Sequence, residues 1–360
     1  MVHRYPNRFG KRDTRMTLKE LAQALGLSPT TVSRALNGFP EVSEETRKKV
    51  RAAAEAYGYR PNMRARSLAT GRAMAIGHVI PIQSGHEMVN PVFADFIAGA
   101  GEVYSGAGYD MLISIVPDDR QQQAYEDFRT KGSVDGIIVH APRLGDKRIQ
   151  LINDVGIPFV VHGRASDSGE AYSWVDMNNF RAFERATKLL LDLGHTRIGL
   201  VNGLEDMDFA IRRRAGVEAA LRAAGLKVND ACFFSGEMTE HYGHRAMTEM
   251  LALPEPPTAV LTSSMIPGIG IRRAIRESGR EIGRDISVII HDDDLSYLPN
   301  GREDPLFTAT RSSVREAGRA AATMLLDIIA TGDHDPRHVL LEADLILGRS
   351  TGPVRAMATT

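Results

Sequence analysis

The chain has 360 residues, 43% of them hydrophobic and 25% charged, with a formal net charge of −1. That length predicts two or three domains, and that composition excludes a fibrous or wholly disordered chain. No apolar run is long enough to span a bilayer, no secretory signal is recognisable, and the one cysteine, Cys232, leaves no internal disulfide, so a cytoplasmic protein with no membrane partner is expected.

The near-neutral total conceals a split. Residues 1–72 hold 15 Lys/Arg against 6 Asp/Glu, and the remainder holds 29 against 39. A basic head on an acidic body is the electrostatic outline of a nucleic-acid-binding domain joined to a second function.

Residues 1–15 carry Arg4, Arg8, Lys11, Arg12 and Arg15 without apolar periodicity and read as a disordered basic extension. Residues 16–60 read as a helix-turn-helix domain. Thr17 and Glu20 have the spacing of a capping box, and Leu18, Leu21, Ala22 and Leu25 make one apolar face. Gly26 ends that helix, Ser28 caps the next and Pro29 suits its first turn. Ser43 caps a third helix, with Glu44 and Glu45 placed against its N-terminal dipole. Residues 61–73, with Arg64, Arg66 and Arg72, read as a hinge helix and linker opened by Pro61.

From Met74 the pattern becomes strand and helix in alternation. Strands are expected at 75–81, 111–116, 136–140, 159–161, 198–201, near 233, at 259–262, 287–291 and 339–347. Helices are expected at 93–107, 120–131, 147–154, 180–193, 210–224, 242–251, 270–278 and 313–331. Such alternation indicates parallel βαβ units, and two sets of similar size suggest two lobes. The fold class expected is therefore an all-α helix-turn-helix head plus an α/β two-lobed body with parallel sheets. The first lobe is placed at about 74–175 plus 303–333, the second at about 176–302 plus 337–360. A cleft between two such lobes is the default ligand site.

Thr17-Leu18-Lys19-Glu20-Leu21-Ala22 through Ser28-Pro29-Thr30-Thr31-Val32-Ser33-Arg34-Ala35-Leu36-Asn37-Gly38 resembles the DNA-binding head of the LacI/GalR family of bacterial repressors. So do Val42-Ser43-Glu44-Glu45-Thr46-Arg47 and Gly58-Tyr59-Arg60-Pro61-Asn62. In the body, Asn90-Pro91-Val92-Phe93, Val134-Asp135-Gly136, Gly156-Ile157-Pro158, Leu193-Gly194-His195-Thr196-Arg197-Ile198 and Arg349-Ser350-Thr351 are similar to the family's signatures. The resemblance implies a periplasmic-binding-protein-like body, a homodimer on a near-palindromic double-stranded operator, and a small-molecule effector of sugar type. It implies no cofactor.

On the DNA side the resemblance implies contacts from Thr17, Ser28, Pro29, Thr30, Thr31, Ser33, Arg34, Asn37, Tyr59, Asn62, Arg66 and Leu68. Positions matching Pro29, Thr30 and Arg34 read bases, and Thr31 and Ser33 read as phosphate or helix-surface residues. An arginine can hold guanine O6 and N7 together. Leu68 matches the residue that wedges a central base step from the minor groove, a device that bends duplex DNA. Leu68→Ala is expected to abolish the specific footprint while keeping the fold and much of the nonspecific affinity; an unchanged footprint would remove the wedge role.

On the effector side the resemblance implies Arg213 and Asp292, which can each engage neighbouring hydroxyls through charge-assisted bonds. Phe93, His162, Arg164 and Ser264 are further candidates. Ser264-Met265 stands where the family usually has Asn-Asp, and that departure bears on effector identity. Asp292–Asp294 also reads as a turn cluster. No nucleophile with a base, no phosphate loop and no metal-ligand spacing is recognisable, so no enzyme is expected. Two other readings share the two-lobed fold: a sugar-binding module of a transport system, and a regulator with a purine-type corepressor. The overall sequence is similar to regulators of α-glucoside operons, which makes maltose, trehalose or sucrose the first effectors to test.

Overall fold

The computed structural model describes residues 16–59, 71–82, 90–301 and 303–354. The basic extension 1–15 and the hinge readings at Asn62, Arg66 and Leu68 lie outside the described residues. Internal contacts divide the chain between Ala73 and Met74.

Among the described residues the head is three helices, α1 (Leu18–Leu25), α2 (Pro29–Leu36) and α3 (Glu44–Ala56). The capping box forms: Glu20 N donates to Thr17 Oγ1 at 3.3 Å, and Thr17 N donates to Glu20 Oε2 at 2.7 Å. Gly26 ends α1 at φ 68°, in the left-handed region where a side chain is strained. Leu21, Val32, Ala35 and Val50 are buried between the helices, with Leu36 and Tyr59 packed against them.

The body contains two six-stranded sheets. In chain order its elements are β1 (Ala75–Ile82), α4 (Pro91–Gly106), β2 (Asp110–Pro117), α5 (Gln121–Lys131), β3 (Gly136–Val139), α6 (Lys147–Val155), β4 (Phe159–His162) and β5 (Ser173–Met177). They continue with α7 (Asn179–Asp192), β6 (Ile198–Asn202), α8 (Asp208–Ala223), β7 (Phe233–Ser235), α9 (Glu240–Leu251), β8 (Ala259–Thr262), α10 (Met265–Glu277), β9 (Ser287–Asp292) and β10 (Thr308–Arg311). Last come α11 (Val314–Thr331), β11 (His338–Leu341) and β12 (Asp344–Ile346).

The first sheet has the order β11-β5-β4-β3-β1-β2 and the second β12-β10-β9-β8-β6-β7. Every neighbouring pair is parallel except β10 with β12. β3, β8 and β9 are buried along their whole length. That is why they read as near-continuous apolar runs: helices cover both faces of a parallel sheet.

The chain passes between the sheets three times: after β5, after β10, and between β11 and β12. This corrects the expected lobe boundaries. Residues 308–311, assigned to the first lobe, lie in the second sheet, and residues 338–341, assigned to the second, lie in the first. The single expected strand 339–347 is two strands, one in each sheet. The cause is polar satisfaction. Thr308 Oγ1 meets Gly348 O at 3.2 Å and Thr351 Oγ1 at 2.7 Å, and Thr310 Oγ1 meets His291 Nδ1 at 3.1 Å.

Close helix crossings explain two glycines. A Cβ on Gly99 of α4 would lie 2.1 Å from Arg315 O, and one on Gly318 of α11 would lie 2.3 Å from Phe96 O. These backbones touch with no room for a methyl group. Gly318→Ala is therefore expected to lower unfolding stability by roughly 1–3 kcal/mol through forced helix separation. Urea titration checks this, and an unchanged midpoint and slope would show that the crossing can relax without cost.

Candidate DNA interface and effector cleft

The second helix is placed to present its first turn. Ser28 Oγ accepts from Thr31 N at 3.0 Å and meets Thr31 Oγ1 at 2.8 Å, so both hydroxyls are engaged in the cap. Pro29, Thr30 and Arg34 are exposed, while Val32 and Ala35 face inward. Residues 30 and 34 share one helical face because they are four apart. Ser33 Oγ accepts from Asn37 Nδ2 at 3.5 Å. Thr17 is exposed but its hydroxyl serves the capping box, and Tyr59 is half-buried against the head core.

Arg34→Ala is expected to weaken binding to the specific operator by about 10–100-fold, the equivalent of roughly 1–3 kcal/mol, with a smaller loss on random duplex. Fluorescence anisotropy on the two duplexes measures it. Equal losses on both would make Arg34 a phosphate contact.

In the body, the carboxyl ends of strands in the two sheets bring polar residues near one another, where the ligand cleft is expected. Arg213, on α8, is 6% exposed. Its Nε donates to Asn179 Oδ1 at 2.7 Å and its Nη1 to Ser263 O at 2.6 Å. The guanidinium carbon lies 4.9 Å from the Phe209 ring centroid and 5.1 Å from that of Phe183. Burial lowers its pKa to about 10, opposed by the charges of Asp293 and Asp176, so it stays protonated at neutral pH.

Asp292 is not the acid that faces Arg213. Its Oδ2 accepts from Arg311 Nε at 3.1 Å and its Oδ1 from Asp294 N at 3.0 Å. The neighbouring Asp293 lies 3.4 Å from His291 Nε2 and interacts electrostatically with Arg213 and His162. Sequence reading grouped Asp293 with its neighbours as a turn cluster, because three adjacent acids have no local feature that distinguishes them. Only the partner of each carboxylate does.

The first sheet contributes an aromatic and imidazole wall. His162 stacks on Phe96 at 4.2 Å between centroids, and His140 lies 5.0 Å edge-on from both Phe93 and Phe96. His78 Nδ1 meets His140 Nε2 at 2.9 Å. Burial pushes the pKa of His162 down to about 4 and that of His78 to about 3. These imidazoles are neutral near pH 7 and act as hydrogen-bonding groups rather than charges.

The two remaining candidates have structural partners. Arg164 Nε donates to Asp176 Oδ2 at 2.8 Å and its guanidinium lies 4.9 Å from the Trp174 ring centroid. Ser264 is 1% exposed and caps α10, accepting from Ile266 N at 3.3 Å. The Leu193-Gly194-His195 signature is likewise a clamp. His195 Nδ1 meets Thr258 Oγ1 at 2.9 Å, and its Nε2 meets Ser287 Oγ and Gly352 O at 3.0 Å.

Several bonds join the halves built on the two sheets. Asp208 N donates to Pro142 O at 3.2 Å, Ser166 N to Asp208 Oδ1 at 3.0 Å, and Arg143 pairs with Asp206 at 3.1 Å. Arg212 on α8 pairs with Asp176 on β5 at 2.8 Å. Asp176 is 4% exposed, and burial raises its pKa against the opposing pull of Arg212 and Arg164. Among the described residues no group of His, Cys, Asp and Glu is arranged to hold a metal, and no helix is long and apolar enough to cross a membrane.

A head of packed helices with Pro29, Thr30 and Arg34 of the second exposed, followed by a body of two parallel α/β sheets, defines a helix-turn-helix transcriptional regulator with a ligand-binding body. Residues 17–62 match the bacterial regulatory proteins of the lacI family, and residues 187–351 match the periplasmic binding protein-like domain. The chain is 44% identical over 340 residues to the HTH-type transcriptional regulator AglR of Rhizobium meliloti, covering 94% of this chain and 95% of that one. It belongs to the LacI family of DNA-binding transcriptional regulators. A solved transcriptional regulator, CelR in complex with cellobiose, is 28% identical with a TM-score of 0.69, covering 93% of this chain and 100% of that one. The lac repressor dimer bound to operator and an anti-inducer shares the fold, at 23% identity and a TM-score of 0.78, over 94% of this chain and 100% of that one.

Proposed function

We propose that the protein is a cytoplasmic, homodimeric repressor whose affinity for a near-palindromic operator is set by a small sugar in the cleft, with α-glucosides the first class to test. The observation that carries this reading is the buried Arg213. It is fixed by Asn179 and the Ser263 carbonyl, flanked by Phe183 and Phe209, and set in the field of Asp293. A guanidinium held through Nε and Nη1 keeps Nη2 to offer a ligand oxygen, and an acid beside it can accept from a neighbouring hydroxyl. Neutral His162 and the Phe93 ring suit a polar, uncharged ligand with apolar faces. The CelR–cellobiose complex supports a disaccharide-sized effector.

The sugar would act through linkage. It changes DNA affinity only to the extent that it favours one lobe arrangement over another, typically by about 1–3 kcal/mol of coupling. The test is thermal shift with maltose, trehalose, sucrose and cellobiose, beside hypoxanthine and guanine, followed by operator binding with each hit. Stabilisation by an α-linked disaccharide with a changed operator affinity is the expected result. Stabilisation by a purine and by no sugar would sink the sugar reading and favour a corepressor.

A further inference from the structure

The head carries an acid that the DNA reading leaves without a role. An open groove runs between the first turns of α2 and α3, lined by Ser28, Thr31, Ser43, Thr46, Arg34 and Glu41 among others. Both turns bring capping hydroxyls: Ser28 with Thr31, and Ser43 with Thr46 at 2.8 Å. Arg34 is the one basic and Glu41 the one acidic residue of this lining, and both are exposed. Of the neighbouring acids, Glu20 is held in the capping box and Glu44 pairs with Arg47 at 3.1 Å, while Glu45, in the first turn of α3, is not part of the groove lining. Glu41 stands two residues before the Ser43 cap, on the side of the head that holds the exposed face of α2.

A carboxylate on a surface that binds a polyanion weakens binding wherever it meets phosphate, because phosphate neutralisation dominates nonspecific affinity. It becomes favourable only against a base-edge donor. Two amino donors face the major groove, cytosine N4 and adenine N6; a carboxylate suits cytosine better, because adenine carries the acceptor N7 beside its donor, as an arginine suits guanine. We propose that Glu41 is a specificity-determining residue that accepts from cytosine N4 next to the guanine held by Arg34. The pair then reads both signs of a G·C-containing step and discourages binding to other sequences. This rests on the reading of α2 as the major-groove helix.

The test is selection of sites from a randomised duplex library by the full chain, followed by binding to the selected site and its single-base variants. The proteins are wild type, Glu41→Gln, Glu41→Ala and Arg34→Ala. Wild type is expected to fix a cytosine in each half-site with roughly tenfold preference. Glu41→Gln should move that preference toward adenine, which a glutamine side chain matches at N6 and N7. Glu41→Ala should flatten that position alone and tighten binding to random duplex. Identical selected sites for wild type and both Glu41 variants overturn the proposal, as does a uniform gain in affinity on every sequence, which marks a charge lying over phosphate. A wild type that selects no site, with Arg34→Ala unchanged, overturns the α2 reading itself.

Discussion

Arg213→Met is expected to abolish the response to sugar while leaving operator binding in its absence. Methionine keeps much of the volume between Phe183 and Phe209, so the stacking is replaced rather than emptied. It cannot donate. Asn179 Oδ1 and Ser263 O, both buried, then lose their partner, and the stability loss should be on the order of 1–3 kcal/mol. The body's own fold survives a loss of that size, but the cleft no longer presents a fixed donor beside Asp293. The sugar-induced thermal shift should vanish, and operator affinity should become the same with and without sugar. Arg213→Lys separates charge from geometry: an ammonium keeps the charge but cannot bond Asn179, Ser263 and a ligand through one planar fork. Release of Arg213→Met from operator at the wild-type sugar concentration would make Arg213 a structural strut only.

Acidification is expected to unfold the body well above the pH at which carboxylates protonate. His78 and His162 have folded-state pKa values near 3 and 4, depressed by burial, against 6.5 in the unfolded chain. His140 and His291 are lowered for the same first reason, with like charges adding to it. A depressed histidine binds fewer protons folded than unfolded, so stability is fully present above pH 6.5 and is lost as pH falls from there toward 4. Inside that window each fully titrating histidine costs about 1.4 kcal/mol per pH unit, so His78 and His162 together remove roughly 2–3 kcal/mol between pH 6 and 5. The His78 Nδ1–His140 Nε2 contact adds a geometric reason, because two imidazolium rings would face each other with donors only. Denaturant titrations from pH 7.5 to 5 measure the slope. A flat profile across that range would mean that the histidines are solvated, and His162→Gln should reduce the slope without reversing it.

The head was almost wholly legible in the sequence. Caps, Gly26 and the spacing of Leu18, Leu21, Ala22 and Leu25 are local features, and each became the expected bond or packed contact. The parallel α/β pattern was legible for the same reason: strands such as Gly136–Val139 and Ala259–Thr262 are apolar throughout because both their faces are covered. Ser173–Met177 and Thr308–Arg311 were missed because polar and charged residues (Ser173 and Asp176, Thr308, Thr310 and Arg311) interrupt their apolar pattern. Asp176 is tolerable in a buried strand only because Arg164 and Arg212 come to it from elsewhere, and Thr308 only because Gly348 and Thr351 do.

The same distinction runs through the cleft. The resemblance points to Arg213, but its orientation depends on Asn179 and Ser263, 34 and 50 residues away in sequence. Among Asp292, Asp293 and Asp294 the sequence offers no choice; Arg311 takes Asp292, and Asp293 is left to His291 and the electrostatic neighbourhood of Arg213. What the sequence by itself determined was the family, the head and the α/β alternation, since these rest on local spacing. Which strand joins which sheet, and which polar side chain faces the cleft, only the tertiary structure decided, because burying a charge is settled by a partner that the chain brings from far away.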